Sequence, residues 1–380
     1  MNILLTQPQK NQEAVDLAFS ARAIELARKG IGLVSPNPLV GCVVVSTTGE
    51  VVGEGTYIYD DVTHAEVIAL QQTGERANGG TAYVSLEPHA HHGKTPPCAD
   101  ALINAGIKRV VAPIEDPNPL VSGKGFEKLS EMGVQVVTGI LADEATKLNE
   151  KFFCWHKKKR PFIHLKLAMS LDGRISLNKS VSTALSGASA LTRVHELRHE
   201  HDAILIGANT AIIDNPNLTD RSNKPRRRPL ARIVLDNSLR LPTAHSLVTT
   251  AKQTPTLVFT SNIDPVDTDP LVDLGVEVVP VEGGPRNLVE VMEELYRREI
   301  QSVLVEGGTE VAGAFIDARL VDKITLMIAP IIVGGPEAPV AIGGKGVERL
   351  CDALRLHDVS VEKHDADIEI TGYPRSSDAE

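Results

Sequence analysis

The chain has 380 residues, a hydrophobic content of 42% and a formal charge of −10, from 39 basic and 49 acidic residues. This length predicts two domains, or three, because a domain has roughly 150 residues as a soft average. No run of about 20 apolar residues occurs, so we expect no membrane span. The N-terminal residues do not resemble a secretory signal, because no basic segment leads into an apolar one. Four cysteines are too few for a disulfide framework and favour a cytoplasmic protein.

The charge distribution argues against a protein that binds nucleic acid. Up to Glu150 the chain has 11 basic and 18 acidic residues, and the remainder has 28 and 31, so the local balances are −7 and −3. Phosphate contacts require clustered Lys and Arg, and base stacking requires aromatic rings, which make up only 3% of this chain.

In the first 150 residues, apolar strands alternate with amphipathic helices. Ala14, Leu17, Ala18 and Ala21 recur at the spacing of one helix face, and Gly30 ends this helix. Apolar runs and turn residues predict a hairpin of residues 39–46 and 51–52, helices over 64–70 and 97–105, and strands over 81–86 and 109–112. This order predicts a compact α/β/α domain.

We place the domain boundary within residues 149–161, where a basic run ends at Pro161. Because the run is short and isolated, we interpret it as the solvated end of a linker helix rather than a nucleic-acid-binding arm. The alternation then restarts, with strands predicted over 162–169, 203–207, 231–235, 256–260, 302–306, 323–333 and 368–371. We therefore predict two α/β domains, residues 1–150 and 151–380.

One cluster of metal-ligand residue types follows the first predicted strands. His64-Ala65-Glu66 begins a helix, and His89 and Cys98 follow the next strand. His-x-Glu alone is a weak signal, but together with a second set of zinc-ligand types it is much more specific. The pattern resembles the zinc cytidine and nucleotide deaminase superfamily, in which His-x-Glu precedes Pro-Cys and a second Cys.

The wider sequence is similar to one branch of that superfamily, the deaminase half of the bifunctional riboflavin biosynthesis deaminase–reductases. The string of residues 86–102, Leu-Glu-Pro-His-Ala-His-His-Gly-Lys-Thr-Pro-Pro-Cys-Ala-Asp-Ala-Leu, carries the resemblance, and the long spacing from His89 to Cys98 selects this branch. Residues 35–41, Ser-Pro-Asn-Pro-Leu-Val-Gly, and residues 116–119, Asp-Pro-Asn-Pro, match it as well.

The resemblance implies a zinc site with an adjacent proton shuttle. The zinc ligands would be His64, His89 and Cys98, and the catalytic residue would be Glu66, which carries a proton from the attacking water to the leaving amine. Substrate contacts are implied at Asn37, His91, Lys94 and Thr95.

The chain departs from the family at several positions beside this site. The family has Cys where His89 stands, so a neutral imidazole replaces a thiolate, and His91 is an alternative ligand. The family also has Gly-Trp-His where this chain has Gly55-Thr56-Tyr57, and Ala-Gly in place of Asp60-Asp61.

The second half resembles the reductase half of the same family, whose fold is like dihydrofolate reductase. Matching strings lie within residues 165–174, 202–210, 214–219, 234–237 and 305–309. Among them, Gly307-Gly308 joins an apolar strand to a helix, where backbone N–H groups can approach a phosphate. No Gly-x-Gly-x-x-Gly follows an early strand, which disfavours a Rossmann dehydrogenase. The predicted fold class is therefore α/β, a cytidine deaminase-like α/β/α domain followed by a dihydrofolate reductase-like α/β domain.

This second resemblance implies two sets of contacts. Arg198 and Arg221 suit a ribose 5-phosphate, because a guanidinium can form two parallel hydrogen bonds with it. The family has Trp where Ala184 stands, which removes a stacking surface. The NADPH contacts would be Ala168, Thr210, Asp214, Asn237, Gly308, Thr309, Glu310, Val311, Ala312, Gly313 and Ala314. The substrate contacts would be Ser182, Arg198, Leu218, Arg221 and Glu306.

Two interpretations stay open for residues near this site. Asp214 is either a proton donor or a cofactor anchor. We interpret the run Arg226–Arg228 as a solvated loop, with a site for the 2′-phosphate of NADPH as the alternative.

Together the resemblances cover nearly the whole chain and imply a bifunctional enzyme of riboflavin biosynthesis. The hydrolase would remove the 2-amino group of a diaminopyrimidinone ribosylamine 5-phosphate with Zn²⁺, and the oxidoreductase would use NADPH to reduce the ribosyl side chain to ribityl. We expect a small phosphorylated pyrimidine as partner, no nucleic acid or membrane, and a homo-oligomer. One alternative is a reductase with a degenerate, non-catalytic deaminase-like domain. A second, a nucleic-acid base deaminase, is disfavoured by the charge of −7.

Overall fold

Two separate β-sheets organise the molecule, one in each half of the sequence. The structure, a computed structural model, describes residues 7–91 and 96–375. Its backbone divides into two compact units, Met1–Lys158 and Lys159–Glu380. Among the described residues, no helix has both the length and the apolar character that crossing a membrane requires.

The first unit contains a five-stranded sheet with the strand order β2-β1-β3-β4-β5. Strand β1 pairs antiparallel with β2 and β3, whereas β3, β4 and β5 are parallel. The strands are β1 (Gly41–Val45), β2 (Val51–Thr56), β3 (Thr81–Val84), β4 (Arg109–Val111) and β5 (Gln135–Val137). The helices are α1 (Gln7–Arg28), α2 (Ala65–Leu70), α3 (Cys98–Asn104), α4 (Lys124–Glu131), α5 (Ala142–Leu148) and α6 (Glu150–Lys158), with a 3₁₀ turn at Gly74–Ala77.

Glycines in β2 allow helix α2 to lie directly on the sheet. A Cβ added to Gly53 would lie 2.1 Å from the carbonyl oxygen of Ala69, and one added to Gly55 would lie 2.0 Å from that of Ala65. No side chain fits at these two positions without moving the helix. The close packing fixes the start of α2, which carries Glu66, against the sheet.

The second unit contains a nine-stranded sheet with the order β10-β9-β8-β7-β11-β6-β12-β14-β13. The first seven strands in this order are parallel, and β14 and β13 are antiparallel additions at one edge. The strands are β6 (Phe162–Ser170), β7 (Ala203–Gly207), β8 (Ala231–Leu235), β9 (Thr256–Thr260), β10 (Glu277–Pro280), β11 (Ser302–Val305), β12 (Lys323–Ala329), β13 (Leu356–His364) and β14 (Asp367–Pro374). The helices are α7 (Ala188–His199), α8 (Ala208–Asp214), α9 (Ser246–Thr249), α10 (Pro265–Val272), α11 (Leu288–Arg297) and α12 (Thr309–Asp317), with a 3₁₀ turn at Leu350–Asp352.

The predicted elements are confirmed in type, with differences at their ends. The strand predicted over residues 323–333 is wrong beyond Ala329, because the chain turns there and reaches the left-handed conformation at Gly334 and Gly335. Strands β5, β10 and β13, helices α4 and α5, and helices α7 to α11 were not among the elements predicted individually. Strand β5 has three residues and β13 is exposed along most of its length, so neither carries the apolar pattern of a buried strand.

Candidate active sites

Three elements of the first unit bring the predicted zinc ligands together. His64 lies in extended conformation as the N-cap residue of α2, and Glu66 follows in the first turn, buried to 3% exposure. His89 lies in the segment after β3 and is buried. Cys98 is the first residue of α3 and is fully buried. Side chains from the starts of two helices and from a loop therefore converge on one point.

The donor atoms of His64, His89 and Cys98 all lie within 4.8 Å of one another. His64 Nδ1 is 3.3 Å from Cys98 Sγ, and the ring centroids of His64 and His89 are 4.5 Å apart. Two imidazole nitrogens and one thiolate are a ligand set that zinc prefers, and three ligands leave a coordination position open. The residues present therefore fit a catalytic zinc ion.

Glu66 adds a buried carboxylate to this cluster. Its Oε2 atom is buried and has no hydrogen-bond partner in the described structure. Burial raises the pKa of the Cys98 thiol, and the Glu66 charge raises that pKa further. A bound cation would hold Cys98 as a thiolate. The unpaired Oε2 of Glu66 could exchange a proton with a molecule bound at that cation.

Tyr57 connects the ligand cluster to a predicted substrate residue. Its ring packs edge-on against His64, with the centroids 5.3 Å apart, and Asn37 Nδ2 donates to Tyr57 Oη at 2.6 Å. His91 is exposed, and its ring centroid lies 5.2 Å from that of His89. Asn37 thus lies one side chain away from the predicted zinc ligand His64, and His91 lies beside the predicted ligand His89. The predicted substrate residues Lys94 and Thr95 lie outside the described residues.

In the second unit, predicted cofactor residues lie at the carboxyl ends of adjacent parallel strands. Thr210 follows β7, Asn237 follows β8 and Gly308 follows β11, while Ala168 lies near the end of β6. A Cβ added to Gly308 would lie 3.5 Å from Thr210 Oγ1, so these two residues are neighbours. Asn237 Oδ1 accepts a hydrogen bond from the Ser261 hydroxyl at 2.8 Å. Ligands of parallel α/β sheets bind at this edge.

The predicted run from Gly308 to Ala314 does not form one contact surface. Helix α12 begins at Thr309, so only the N–H groups of its first turn point out of its N-terminus. The Ala312 N–H already donates to the Gly308 carbonyl at 3.0 Å. Ala312 and Gly313 are buried, whereas Glu310 and Ala314 are exposed. The helical period therefore puts members of this run on opposite sides.

Gly313 instead has a packing role. A Cβ at this position would lie 2.4 Å from the backbone at Gly343 and Gly344, so this glycine lets α12 contact another loop. Thr309 supports the same contact, because its carbonyl accepts the Gly343 N–H at 3.0 Å and its hydroxyl donates to the Val340 carbonyl.

A buried ion cluster lies at the end of β11. Arg198 forms two parallel hydrogen bonds with Glu306, of 2.8 and 3.0 Å, and donates to the Thr219 carbonyl at 3.1 Å. Lys166 Nζ lies 3.9 Å from Glu306 Oε2. Burial alone would raise the pKa of Glu306, but the charges of Arg198 and Lys166 outweigh it and lower that pKa to about 2. If Arg198 bound a phosphate through two parallel hydrogen bonds from its Nε and Nη2 atoms, its ion pair with Glu306 would have to break.

The other predicted substrate and cofactor residues of this unit are more accessible. Arg221 is exposed, and only its Nε has a partner in the described structure, the hydroxyl of Thr219 at 3.2 Å. Leu218 is buried and adopts a left-handed φ of 49°. Asp214 is exposed at the end of α8, and Ser182 is exposed in the segment between β6 and α7. Arg221 is thus the predicted phosphate residue whose guanidinium is open.

Two family models match the chain. The model described as cytidine and deoxycytidylate deaminase zinc-binding region matches residues 13–113, and the RibD C-terminal domain model matches residues 161–370. Riboflavin biosynthesis protein RibD of Actinobacillus pleuropneumoniae is 40% identical over 355 residues, covering 93% of this chain and 94% of that protein. The chain belongs to the RibD family. The RibD protein of Escherichia coli is 39% identical and covers 89% of this chain and 94% of its own length.

Solved RibD structures share the fold of the whole chain. Acinetobacter baumannii RibD has a TM-score of 0.85 at 34% identity and covers 96% of this chain and all of its own. A deaminase/reductase from Thermotoga maritima has the same identity, coverage and TM-score. The predicted fold class, a cytidine deaminase-like α/β/α domain followed by a dihydrofolate reductase-like α/β domain, is confirmed, and the second domain matches the RibD C-terminal domain model.

Membership of the RibD family establishes the general activity. The chain is a bifunctional deaminase and reductase of riboflavin biosynthesis, with Zn²⁺ and NADPH as its cofactors. The alternative of a reductase with a degenerate deaminase-like domain is not favoured, because the zinc-binding region itself matches. A small phosphorylated pyrimidine as substrate is consistent with the RibD family.

Two features beside the predicted site of this RibD family member were missed from the sequence. Lys166 was not among the predicted site residues, although a lysine inside the apolar strand β6 was a visible signal. Arg226 was assigned to a solvated loop, which is wrong. Its guanidinium donates to the Asp220 carboxylate and to the carbonyls of residues 198, 199, 201 and 228, so it braces this loop against the end of α7.

A second group of ligand-type residues lies on the β13–β14 hairpin. The donor atoms of Glu362, His364 and Glu369 lie within 4.8 Å of one another. Glu369 already pairs with His364 at 2.7 Å and with Arg193 at 3.3 Å. Because Arg193 neutralises the Glu369 carboxylate, this group is a poorer cation site than the cluster of His64, His89 and Cys98.

Proposed function

We propose that the first unit hydrolyses the 2-amino group of a diaminopyrimidinone ribosylamine 5-phosphate and that the second unit reduces the ribosyl side chain of the product. In the first reaction water supplies the carbonyl oxygen and ammonia leaves. In the second, a hydride adds to the sugar carbon bonded to nitrogen, the bond from that carbon to the ring oxygen breaks, and this oxygen takes a proton. The T. maritima protein, described as a diaminohydroxyphosphoribosylaminopyrimidine deaminase and 5-amino-6-(5-phosphoribosylamino)uracil reductase, supports this assignment.

The observation that carries the deaminase assignment is the convergence of His64, His89 and Cys98 beside a buried carboxylate. We assign these three residues as the zinc ligands. Zinc bound there supplies a Lewis acid that lowers the pKa of a water towards about 7. Glu66 takes a proton at its unpaired Oε2 and delivers it to the departing amino nitrogen.

Asn37 and His91 are the substrate contacts that we assign within the described part of this unit, and the family resemblance implies Lys94 and Thr95 as further contacts. Tyr57 Oη accepts the hydrogen bond of Asn37 Nδ2, which leaves Asn37 Oδ1 to accept from an N–H group of the pyrimidine.

In the second unit, we assign the phosphates of NADPH to the N–H groups at the start of α12, after Gly308. Thr210 and Asn237 line the same edge of the sheet. NADPH supplies the hydride when bound. Lys166 is our candidate for the proton donor to the sugar ring oxygen, because burial lowers the pKa of its amine and Glu306 holds it in place. Arg221 is our candidate for the 5-phosphate.

A two-stage assay of the purified protein tests these assignments. We expect about one equivalent of zinc per chain, ammonia release from the diaminopyrimidinone substrate, and NADPH oxidation that depends on the deaminated product. Zinc below about a tenth of an equivalent without ammonia release would refute the deaminase assignment. Absence of NADPH oxidation with the deaminated product would refute the reductase assignment.

Restoring the family cysteine tests whether His89 is a ligand. We expect His89→Cys to retain zinc, because a thiolate is also a zinc ligand. In the Co²⁺-substituted protein, the sulfur-to-metal charge-transfer absorbance should increase, because a second thiolate joins Cys98. Unchanged absorbance, zinc content and ammonia release would show that position 89 does not contact the metal.

Removing one hydroxyl tests the role of Tyr57. We expect Tyr57→Phe to raise KM for deamination, with kcat and zinc content nearly unchanged, because the ring still packs on His64 while Asn37 loses its partner. Losing one hydrogen bond of about 1 kcal/mol corresponds to a KM increase of roughly five-fold. Steady-state ammonia release measures this, and a fall in kcat at constant KM would contradict the proposed orientation of Asn37.

We also propose a cytoplasmic homo-oligomer. Cys42 and Cys351 form no disulfide in the described structure, which is typical of a reducing compartment. The edge strand β13 exposes Val359 and Val361, and an uncovered edge favours association with another chain. Light scattering after size-exclusion chromatography measures the assembly.

A further inference from the structure

We propose that Glu87 is a positioning residue of the zinc site, which fixes the turn that presents His89 to Cys98. The inference rests on the proposed deaminase site, because it concerns how its ligands are held. Glu87 lies two residues before His89 and is buried to 4% exposure.

The Glu87 carboxylate is bound by three backbone N–H groups. Oε2 accepts from Asp116 and from Gly123, each at 3.0 Å, and Oε1 accepts from Gly125 at 2.8 Å. A buried carboxylate is costly unless such donors surround it. Both oxygens of this one side chain therefore hold the segment 116–125 against the segment that leads into His89.

Two of these donors belong to the start of helix α4. Gly123 is its N-cap residue, with a left-handed φ of 75°, and no side chain of the helix caps its first turn. The first N–H groups of a helix lack partners within it and attract an anion. Glu87 supplies that anion from a different segment, so the position of α4 and the position of the His89 turn depend on each other.

A direct backbone contact reinforces this arrangement. A Cβ added to Gly125 would lie 1.8 Å from the carbonyl oxygen of Pro88, so the first turn of α4 packs on the residue between Glu87 and His89. Only glycine permits this approach. The carboxylate and the glycine fix the same peptide segment from two sides.

The backbone of His89 is hydrogen-bonded to the residue that follows Cys98. The His89 carbonyl accepts the Ala99 N–H at 3.2 Å, and Ala99 follows Cys98 in the first turn of α3. The backbone of His89 is thus held by α3 after it and by the Glu87 contacts before it. Because His89 is longer than the cysteine of the family, its donor atom depends strongly on the backbone orientation of this turn.

The test compares Glu87→Gln with Glu127→Gln, an exposed glutamate in the same first turn of α4. Glutamine keeps the shape, but it loses the charge and points an NH₂ group at backbone N–H donors. We expect Glu87→Gln to weaken zinc binding about 10- to 100-fold in competition with a chromophoric chelator, as for residues that support metal ligands. The visible spectrum of the Co²⁺ form should change as well. Glu127→Gln should leave both unchanged.

Gly125→Ala tests the same contact without altering Glu87, and we expect the same loss of zinc affinity and the same spectral change. NADPH oxidation by the second unit reports whether each variant is folded elsewhere. If Glu87→Gln does not fold, Glu87→Asp, which keeps the charge on a shorter side chain, should show a smaller change in the same direction. Unchanged zinc affinity and Co²⁺ spectrum in the folded Glu87 and Gly125 variants would overturn the proposal.

The wild-type protein separates this proposal from the proposed function. Zinc binding without ammonia release would refute the deaminase assignment and leave the Glu87 comparison intact. A wild-type chain that binds no zinc would overturn both.

Discussion

Glu66→Gln should reduce ammonia release by about 10²- to 10⁴-fold, the usual contribution of a general acid and base. Glutamine has nearly the same shape as Glu66 and fits the same buried space, but it cannot carry a proton. Zinc affinity should not fall. The Glu66 charge raises the pKa of the Cys98 thiol, so removing that charge makes the thiolate easier to form. The measurements are steady-state ammonia release and zinc content of the purified variant.

Two comparisons make this result specific. Glu75→Gln changes an exposed glutamate of the same unit and should leave ammonia release unchanged. NADPH oxidation with the deaminated product should be normal in both variants. A Glu66→Gln protein that retains more than about a tenth of the wild-type rate would show that another group carries the proton.

The zinc cluster could be predicted because each of its parts is local in sequence. The helices predicted over residues 64–70 and 97–105 put His64, Glu66 and Cys98 at helix N-termini, where the structure has them. Family resemblance then indicates which strand separates them. The resemblance did not indicate that Tyr57 contacts both His64 and Asn37. Tyr57 departs from the family sequence, and Asn37 lies outside the local zinc motif.

The ion cluster of the second unit could not be predicted in the same way. Arg198 and Glu306 are 108 residues apart, and only the neighbouring positions of α7 and β11 bring them together. Taken singly, each was a plausible substrate contact. In the described structure Arg198 and Glu306 bind each other, whereas the Arg221 guanidinium is exposed.

Helix α12 shows that sequence resemblance does not indicate which residues of a helix face a ligand. A Gly-Gly turn before a helix indicates a phosphate site, and the fold places this turn at the expected edge of the sheet. The resemblance extended the contacts along the helix to Ala314, but sequence matching ignores which way successive residues face. Ala312 and Gly313 are buried, so only the first turn and the exposed face of α12 are accessible to a ligand.

The ion cluster of Arg198, Glu306 and Lys166 should make the substitution Glu306→Gln strongly destabilising. The variant removes the carboxylate that pairs with Arg198 and lies 3.9 Å from the Lys166 amine, and both of these cations are largely buried. Removing one partner of a buried ion pair costs about 3–5 kcal/mol, because the remaining charge is uncompensated. We therefore expect urea denaturation to show a loss of at least about 3 kcal/mol in the unfolding free energy of the second unit, together with a large loss of NADPH oxidation.

Acid titration of the wild type provides an independent check of this effect. The pKa of Glu306 is lowered from 4.5 to about 2 in the folded protein, so its stabilisation is complete above pH 4.5 and is lost as the pH falls towards 2. In the Glu306→Gln variant, the unfolding free energy should lack the part of its decrease at acid pH that protonation of Glu306 causes. Glu196→Gln is the matched control, because Glu196 pairs with Arg193 at the surface of the same helix α7, where an ion pair contributes at most about 1 kcal/mol. If Glu306→Gln and Glu196→Gln lost equal stability, the Arg198–Glu306–Lys166 cluster would not hold this site together.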